Sequence, residues 1–100
     1  MRRAAKVDEN QPEIVQALRK AGATVTPLHA VGSGCPDLLV GWKNSNLLVE
    51  VKDGAKPPSA RKLTKDQQEW HATWAGQVVV VKDIDEALNV LGIEHKGQIS

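Results

Sequence analysis

The sequence predicts an α/β fold in which a mixed β-sheet is flanked by helices. Two nearly continuous apolar runs, at 37–42 and 47–52, are separated by a polar segment and predict neighbouring hairpin strands. A valine-rich run at 77–82 follows a segment with helical signals. Because a helix between two strands lets the second strand return parallel to a neighbour, the sheet should contain both antiparallel and parallel pairs.

The first helix is predicted from about Asn10 to Ala21. Ile14, Val15 and Leu18 recur at helical spacing, and Gly22 supplies a stop. Three strands should come next, at 23–28, 37–42 and 47–52. They are separated by a glycine-containing loop at 29–36 and a turn at 43–46.

The second helix is predicted from Thr64 to about Trp74, with Thr64 as N-cap and Gln67 at the capping-box position. Trp70, His71 and Trp74 could stack on bases, but aromatic residues on an amphipathic helix are more often in the core, and His71 is not expected to bind a metal. A buried strand at 77–82 and a short amphipathic helix at 84–91 complete the order α-β-β-β-α-β-α.

Length and composition favour one folded domain. The chain has 100 residues, 41% of them hydrophobic and 25% charged, which is enough apolar surface for one core. A single domain is predicted over 1–100, with a basic N-terminal extension at 1–7 and a C-terminal tail at 93–100. No apolar stretch reaches the ~20 residues that span a bilayer, so we expect no membrane association and a cytoplasmic location.

The net charge of +1 says little, but its distribution is uneven. Basic residues crowd the N-terminus and surround a proline-rich loop after the third strand. We expect part of this loop region to contact phosphates, although a basic loop can also be plain solvated surface. The candidates are Lys56, Arg61, Lys62 and Lys65.

Two carboxylates and one amine should meet on the hairpin. Side chains alternate faces along a strand, so Glu50 and Lys52 point the same way. Pairing the strands outward from the turn brings Asp37 beside them. Their strands are apolar runs expected to be covered on both faces, where charges are costly unless paired or bound to metal. The alternative is an exposed ion pair with no chemical role.

Close carboxylates repel unless a proton or a cation lies between them, and oxygen ligands suit Mg²⁺ or Mn²⁺. Beside such a cation, the Lys52 ammonium can orient an attacking water or stabilise charge on a phosphate. The group of three therefore indicates phosphodiester cleavage.

With Pro36-Asp37 and Glu50-Val51-Lys52, the chain resembles the PD-(D/E)XK nuclease superfamily, whose motif has a PD on one strand and an ExK on the next. It is most similar to the stand-alone VRR-NUC proteins of bacteriophages and more distantly to Holliday-junction resolvases, over about 13–82. The resemblance implies a restriction-endonuclease-like core and a metal-dependent endodeoxyribonuclease. It also implies a homodimer acting on branched DNA, such as four-way junctions, in a bacterial or phage-infected cell.

The resemblance also implies further site residues. Glu13, or alternatively Glu9, would complete the metal site together with the Val51 carbonyl. Gln67, or Gln68 if the register slips, would support Lys52.

Each of these has a plainer alternative. Glu13 suits a capping box with Asn10, and Gln67 one with Thr64. Ser33, in the loop before Asp37, is a candidate phosphate contact.

Three hypotheses about the function stay open. The first is a structure-specific nuclease. The second is a restriction-type or transposon-end nuclease of the same superfamily. The third is a catalytically idle module that binds nucleic acid. The sequence does not decide between DNA and RNA.

Overall fold

The structure is a computed structural model, and it describes residues 7–93. The predicted extension at 1–7 and tail at 93–100 lie almost wholly outside the described residues. The elements are α1 (Gln11–Lys20), β1 (Thr24–Pro27), β2 (Leu38–Trp42), β3 (Ser45–Val51), a 3₁₀ turn (Pro58–Ala60), α2 (Lys65–Thr73), β4 (Val78–Val81) and α3 (Ile84–Val90). Their order confirms the predicted α-β-β-β-α-β-α arrangement.

The four strands form one mixed sheet in the order β1-β2-β3-β4. β1, β2 and β3 are antiparallel neighbours, whereas β4 runs parallel to β3. The crossover through α2 makes this parallel return possible, as predicted.

The β2–β3 turn is tighter than the polar segment at 43–46 suggested. Lys43 and Asn44 have φ values of 48° and 65°, and strand pairing resumes at Ser45. Positive φ at both central residues is typical of a type I′ hairpin turn, whose twist suits the flanking strands. This turn sets a register in which Leu38 pairs with Val49.

One face of the sheet packs against α1 and α3 and forms the core. Every second strand residue points to this face, and the apolar face of α1 closes over it. The buried members are Ile14, Leu18, Val25, Leu38, Val40, Val49, Val51, Val81 and Leu88.

The other face is covered only in part, which corrects three expectations. Leu39 on β2 is 39% exposed, so this strand is not covered on both sides. Val80 is 46% exposed because β4 is an edge strand, so the run at 77–82 is not a fully buried strand. Trp70 and Trp74 are not in the core, since α2 buries none of its residues. Sequence periodicity identifies apolar positions but not which ones tertiary packing covers.

Among the described helices, none combines the length and apolar character needed to cross a membrane.

Candidate active site

A cavity of about 310 Å³ lies where β3 ends, next to the loop before β2 and the first turn of α2. It is lined mainly by polar and charged side chains. They include all three members of the predicted constellation: Asp8, Gly32, Ser33, Gly34, Cys35, Asp37, Glu50, Lys52, Thr64, Asp66 and Gln67. A larger cavity of about 890 Å³ between α1 and β1 has no carboxylate among its described lining residues.

The hairpin register brings Asp37 and Glu50 together. Since Leu38 pairs with Val49, Asp37 lies opposite Glu50 on the same face of the sheet. Both side chains are buried, Asp37 at 5% exposure and Glu50 at 1%. The Val51 backbone N–H donates to Asp37 Oδ2 at 2.7 Å. The N–H and C=O of one strand residue point to the same edge, so the Val51 carbonyl also faces the Asp37 side.

Two residues of α2 contact the Glu50 carboxylate. Gln67 Nε2 donates to Glu50 Oε2 at 3.1 Å, and His71 Nε2 lies 3.5 Å from Glu50 Oε1. Neither Glu50 Oε1 nor His71 Nε2 has a hydrogen-bond partner. His71 was expected in the core or as a base contact rather than beside Glu50, although its i, i+4 spacing from Gln67 places both on one side of the helix.

Gln67 fulfils both of the roles weighed for it. Its Oε1 accepts from Lys52 Nζ at 2.8 Å and from the Thr64 backbone N–H at 2.8 Å. Thr64 Oγ1 in turn accepts from the Gln67 backbone N–H at 3.2 Å, which completes the capping box. Gln68 points elsewhere and donates to the Leu63 carbonyl, so it is not the supporting glutamine.

The electrostatics favour a protonated or cation-bound Glu50. Burial raises the pKa of Glu50 to about 9, and the hydrogen bond and negative charge of Asp37 act in the same direction, against the attraction of Lys52. Burial also raises the pKa of Asp8. Burial and the nearby Lys52 charge lower the pKa of His71, which favours the neutral imidazole.

These residues fit a hard divalent cation. Glu50 Oε1 is a buried acceptor without a donor, next to a second buried carboxylate, and a cation would satisfy both. Within 7–93, no three His, Cys, Asp or Glu side chains form a metal-binding group by themselves. Mg²⁺ commonly takes only one or two protein carboxylates and keeps several waters. Asp37, Glu50 and the Val51 carbonyl are therefore the candidate donors for such a cation.

The structure does not bring Glu13 to this site. A helix turns by about 100° per residue, and α1 buries the side that carries Gln11, Ile14 and Leu18, so Glu13 points to solvent. Glu9 is exposed as well, and neither residue lines the cavity.

Asp8, and neither of those two glutamates, is the acidic residue from this part of the chain that reaches the cavity. It lies just before α1 and lines the cavity. A residue ahead of a helix has no periodic signal, so spacing could not identify it.

The expected Asn10–Glu13 capping box is also absent, because Asn10 makes no side-chain cap. Asn10 Nδ2 donates instead to the carbonyls of Lys52 at 3.0 Å and Lys82 at 3.1 Å. The start of α1 is thereby fixed to the end of the site strand.

The predicted phosphate contacts separate into two groups. Ser33 lines the cavity. Lys56 lies near enough to lower the pKa of Asp8, and Lys65 is the first residue of α2. Arg61 does not face the cavity: it donates to the Lys56 carbonyl, and its charge acts on Glu86. Lys62 is exposed and does not line the cavity either.

Comparisons with protein-family models, with curated proteins and with solved structures return no match.

Proposed function

We propose that this protein is a Mg²⁺- or Mn²⁺-dependent endonuclease that hydrolyses phosphodiester bonds in DNA. The observation that carries the proposal is the buried Asp37–Glu50 pair beside Lys52, with Gln67 bonded to both Glu50 and Lys52. Burying two neighbouring carboxylates is costly while both are ionised, which suits a site that binds a cation. The resemblance to PD-(D/E)XK nucleases, which rests on the same three residues, supports the same conclusion.

Each residue has a defined task. Asp37, Glu50 and the Val51 carbonyl would hold the cation, and Asp8 would add negative charge nearby. When bound, a divalent cation lowers the pKa of water and polarises the phosphate. An N–H of the Lys52 ammonium group donates a hydrogen bond to a phosphate oxygen or to the attacking water. Gln67 holds the lysine in position, so the ammonium needs no reorganisation when substrate arrives.

The finer assignment extends the resemblance. Branched DNA such as a four-way junction is the proposed substrate, and a homodimer would present two sites to it. Lys56, whose charge lowers the pKa of Asp8, and Lys65, which lies in sequence between the cavity residues Thr64 and Asp66, would contact backbone phosphates. The proposed location is the cytoplasm of a bacterial or phage-infected cell.

The test is a cleavage screen of the purified protein on linear duplex, nicked, flap and four-way junction DNA with Mg²⁺ or Mn²⁺. Asp37→Asn should abolish cleavage because it removes charge from the cation site with little change in shape. Glu13→Gln is the matched control, since Glu13 is an exposed carboxylate outside the cavity, and it should cut like the wild type. Full activity of Asp37→Asn, or no cleavage of any substrate by the wild type, would refute the proposal.

A further inference from the structure

A second cavity opens beside the candidate active site, on the outer side of α2. Its volume is about 510 Å³, within the range of small-molecule sites. We call it the Trp70 pocket. It is lined by Ser33, Asp66, Glu69, Trp70, Ala72 and Thr73.

Trp70 forms the aromatic wall of this pocket and is held in place by a second tryptophan. Trp70 stacks on Trp74 with ring centroids 4.6 Å apart and an interplanar angle of 21°. Trp74 is itself 45% exposed, and α2 buries none of its residues in the core. An indole pair left at the surface costs hydrophobic stabilisation that burial would have provided. Such a pair is a ready surface for a flat, apolar-faced ligand.

The pocket is continuous with the acidic cavity. Ser33 and Asp66 line both of them. Ser33 has a φ of 56°, which is unfavourable for a non-glycine residue. A Cβ at the neighbouring Gly34 would lie 2.4 Å from the Asp66 carbonyl oxygen, so the loop and α2 are in backbone contact. The wall between the cavities is therefore a fixed structure.

The chemistry of the lining favours a nucleobase over a phosphate. Asp66 and Glu69 would repel a phosphate, but their carboxylates accept hydrogen bonds from exocyclic amino groups of cytosine, adenine and guanine. Thymine has no such amino group. The Trp70 ring offers a face on which any base can stack.

We propose that the Trp70 pocket binds an unpaired nucleobase of the strand that is cut, next to the phosphate at Lys52, and that it prefers amino-bearing bases to thymine. The inference rests on the proposed nuclease function and narrows its substrate class. A base inside a duplex is paired and stacked and would have to leave the helix to reach Trp70. The preferred substrates are then strands with unpaired nucleotides at the cut, such as branch points, flaps and single-stranded ends.

The experiment measures binding rather than cleavage. Fluorescence anisotropy would follow dye-labelled dC10, dT10 and a hairpin duplex with Ca²⁺ present. We expect dC10 to bind more tightly than dT10. Trp70→Leu should weaken dC10 binding about tenfold, the scale of one base–aromatic stack, and leave duplex binding nearly unchanged. Trp70→Phe should restore most of the affinity.

Two further variants serve as controls. Trp42→Phe changes a tryptophan whose Nε1 donates to the Leu91 carbonyl, away from the pocket, and should leave all affinities unchanged. Glu69→Gln changes an exposed carboxylate and should reduce the preference for dC10 over dT10 without affecting folding. It keeps the inference testable if Trp70→Leu fails to fold.

Three results would overturn the inference. The first is equal loss of duplex and single-strand binding in Trp70→Leu. The second is that neither Trp70→Leu nor Glu69→Gln changes the affinity for dC10 or dT10. The third is that Trp70→Leu lowers the mass measured by sedimentation and leaves the dC10 affinity unchanged. That result would identify a second copy of the chain as the occupant of the pocket. Failure of the nuclease proposal is seen separately, as selective strand binding with no cleavage of any substrate.

Discussion

The two faces of the β-sheet serve different purposes. The face under α1 and α3 is aliphatic and closed, and it contains nearly the whole core. The face under α2 carries Asp37, Glu50 and Lys52 and is open at Leu39 and Val80. The closed face stabilises the fold, whereas the open face carries buried carboxylates and exposed apolar side chains, both of which reduce stability. The predictions below test this division, from the largest expected effect to the smallest.

The sharpest contrast uses two neighbouring leucines of β2 that point to opposite faces. Leu38 is 0% exposed and Leu39 is 39% exposed. Leu38→Ala should lower the free energy of unfolding by about 2–5 kcal/mol, because it removes buried methyl groups and leaves a cavity. Leu39→Ala should cost about 1 kcal/mol or less. Urea unfolding of both variants measures the difference, and equal losses would contradict the proposed division.

On the open face, Lys52→Ala should affect chemistry and not folding. It removes the ammonium held by Gln67, and we expect kcat to fall about 100-fold, as when one preorganised donor is lost. DNA affinity should change little. Single-turnover cleavage and equilibrium binding separate the two effects. Lys56→Ala is the control, since Lys56 is an exposed lysine near the site that should retain kcat.

The buried Glu50 should make the open face sensitive to pH. Its pKa is raised from about 4.5 to about 9, so the folded protein keeps a proton that the unfolded chain has lost. The stabilisation from that proton is complete below pH 4.5 and is lost as the pH rises towards 9. Without divalent cations, stability should therefore fall with pH, by at most about 1.4 kcal/mol per unit for one proton.

Unfolding at pH 7 and pH 9 tests this while avoiding most of the titration of His71, whose lowered pKa acts below that window. Glu50→Gln imitates the protonated acid and should show no such decrease. Mn²⁺ should displace the proton and raise the melting temperature more at pH 9 than at pH 7. A wild type with the same pH profile as Glu50→Gln would show that Glu50 is ionised in the fold.

The smallest predicted effect concerns the basic loop. Each phosphate contact contributes about 0.9 to the slope of log affinity against log salt on duplex DNA. Lys56→Ala should reduce the slope by that amount, because the charge of Lys56 acts on Asp8, which lines the cavity. Arg61→Ala should leave it unchanged, because Arg61 acts on Glu86 instead. Equal slopes for the wild type and Lys56→Ala would remove Lys56 from the phosphate contacts.

The sequence predicted what short-range periodicity determines. Alternation along β2 and β3, with a turn between them, was enough to bring Asp37, Glu50 and Lys52 into one cavity. Capping chemistry fixed the start of α2 at Thr64. These features depend on neighbours within a strand, a hairpin or a helical turn.

Other features depend on packing between distant elements and were missed. Asn10 forms hydrogen bonds with two residues that are 42 and 72 positions away in the sequence. These bonds fix α1 to the ends of β3 and β4, and Asp8 reaches the site for that reason. His71 comes within 3.5 Å of Glu50 only because α2 lies across that side chain. The exposure of Val80 follows from the edge position of β4, which a run of valines does not reveal.

Gln67 has a further consequence, for temperature. The same amide oxygen caps the first turn of α2 and holds Lys52 Nζ, so fraying of that turn also releases the lysine. Because α2 has no residue in the core, it should open locally well before the sheet melts. On warming, the site would then lose its positioned lysine while the sheet is still folded. Cooling would restore the lysine's position without refolding of the chain.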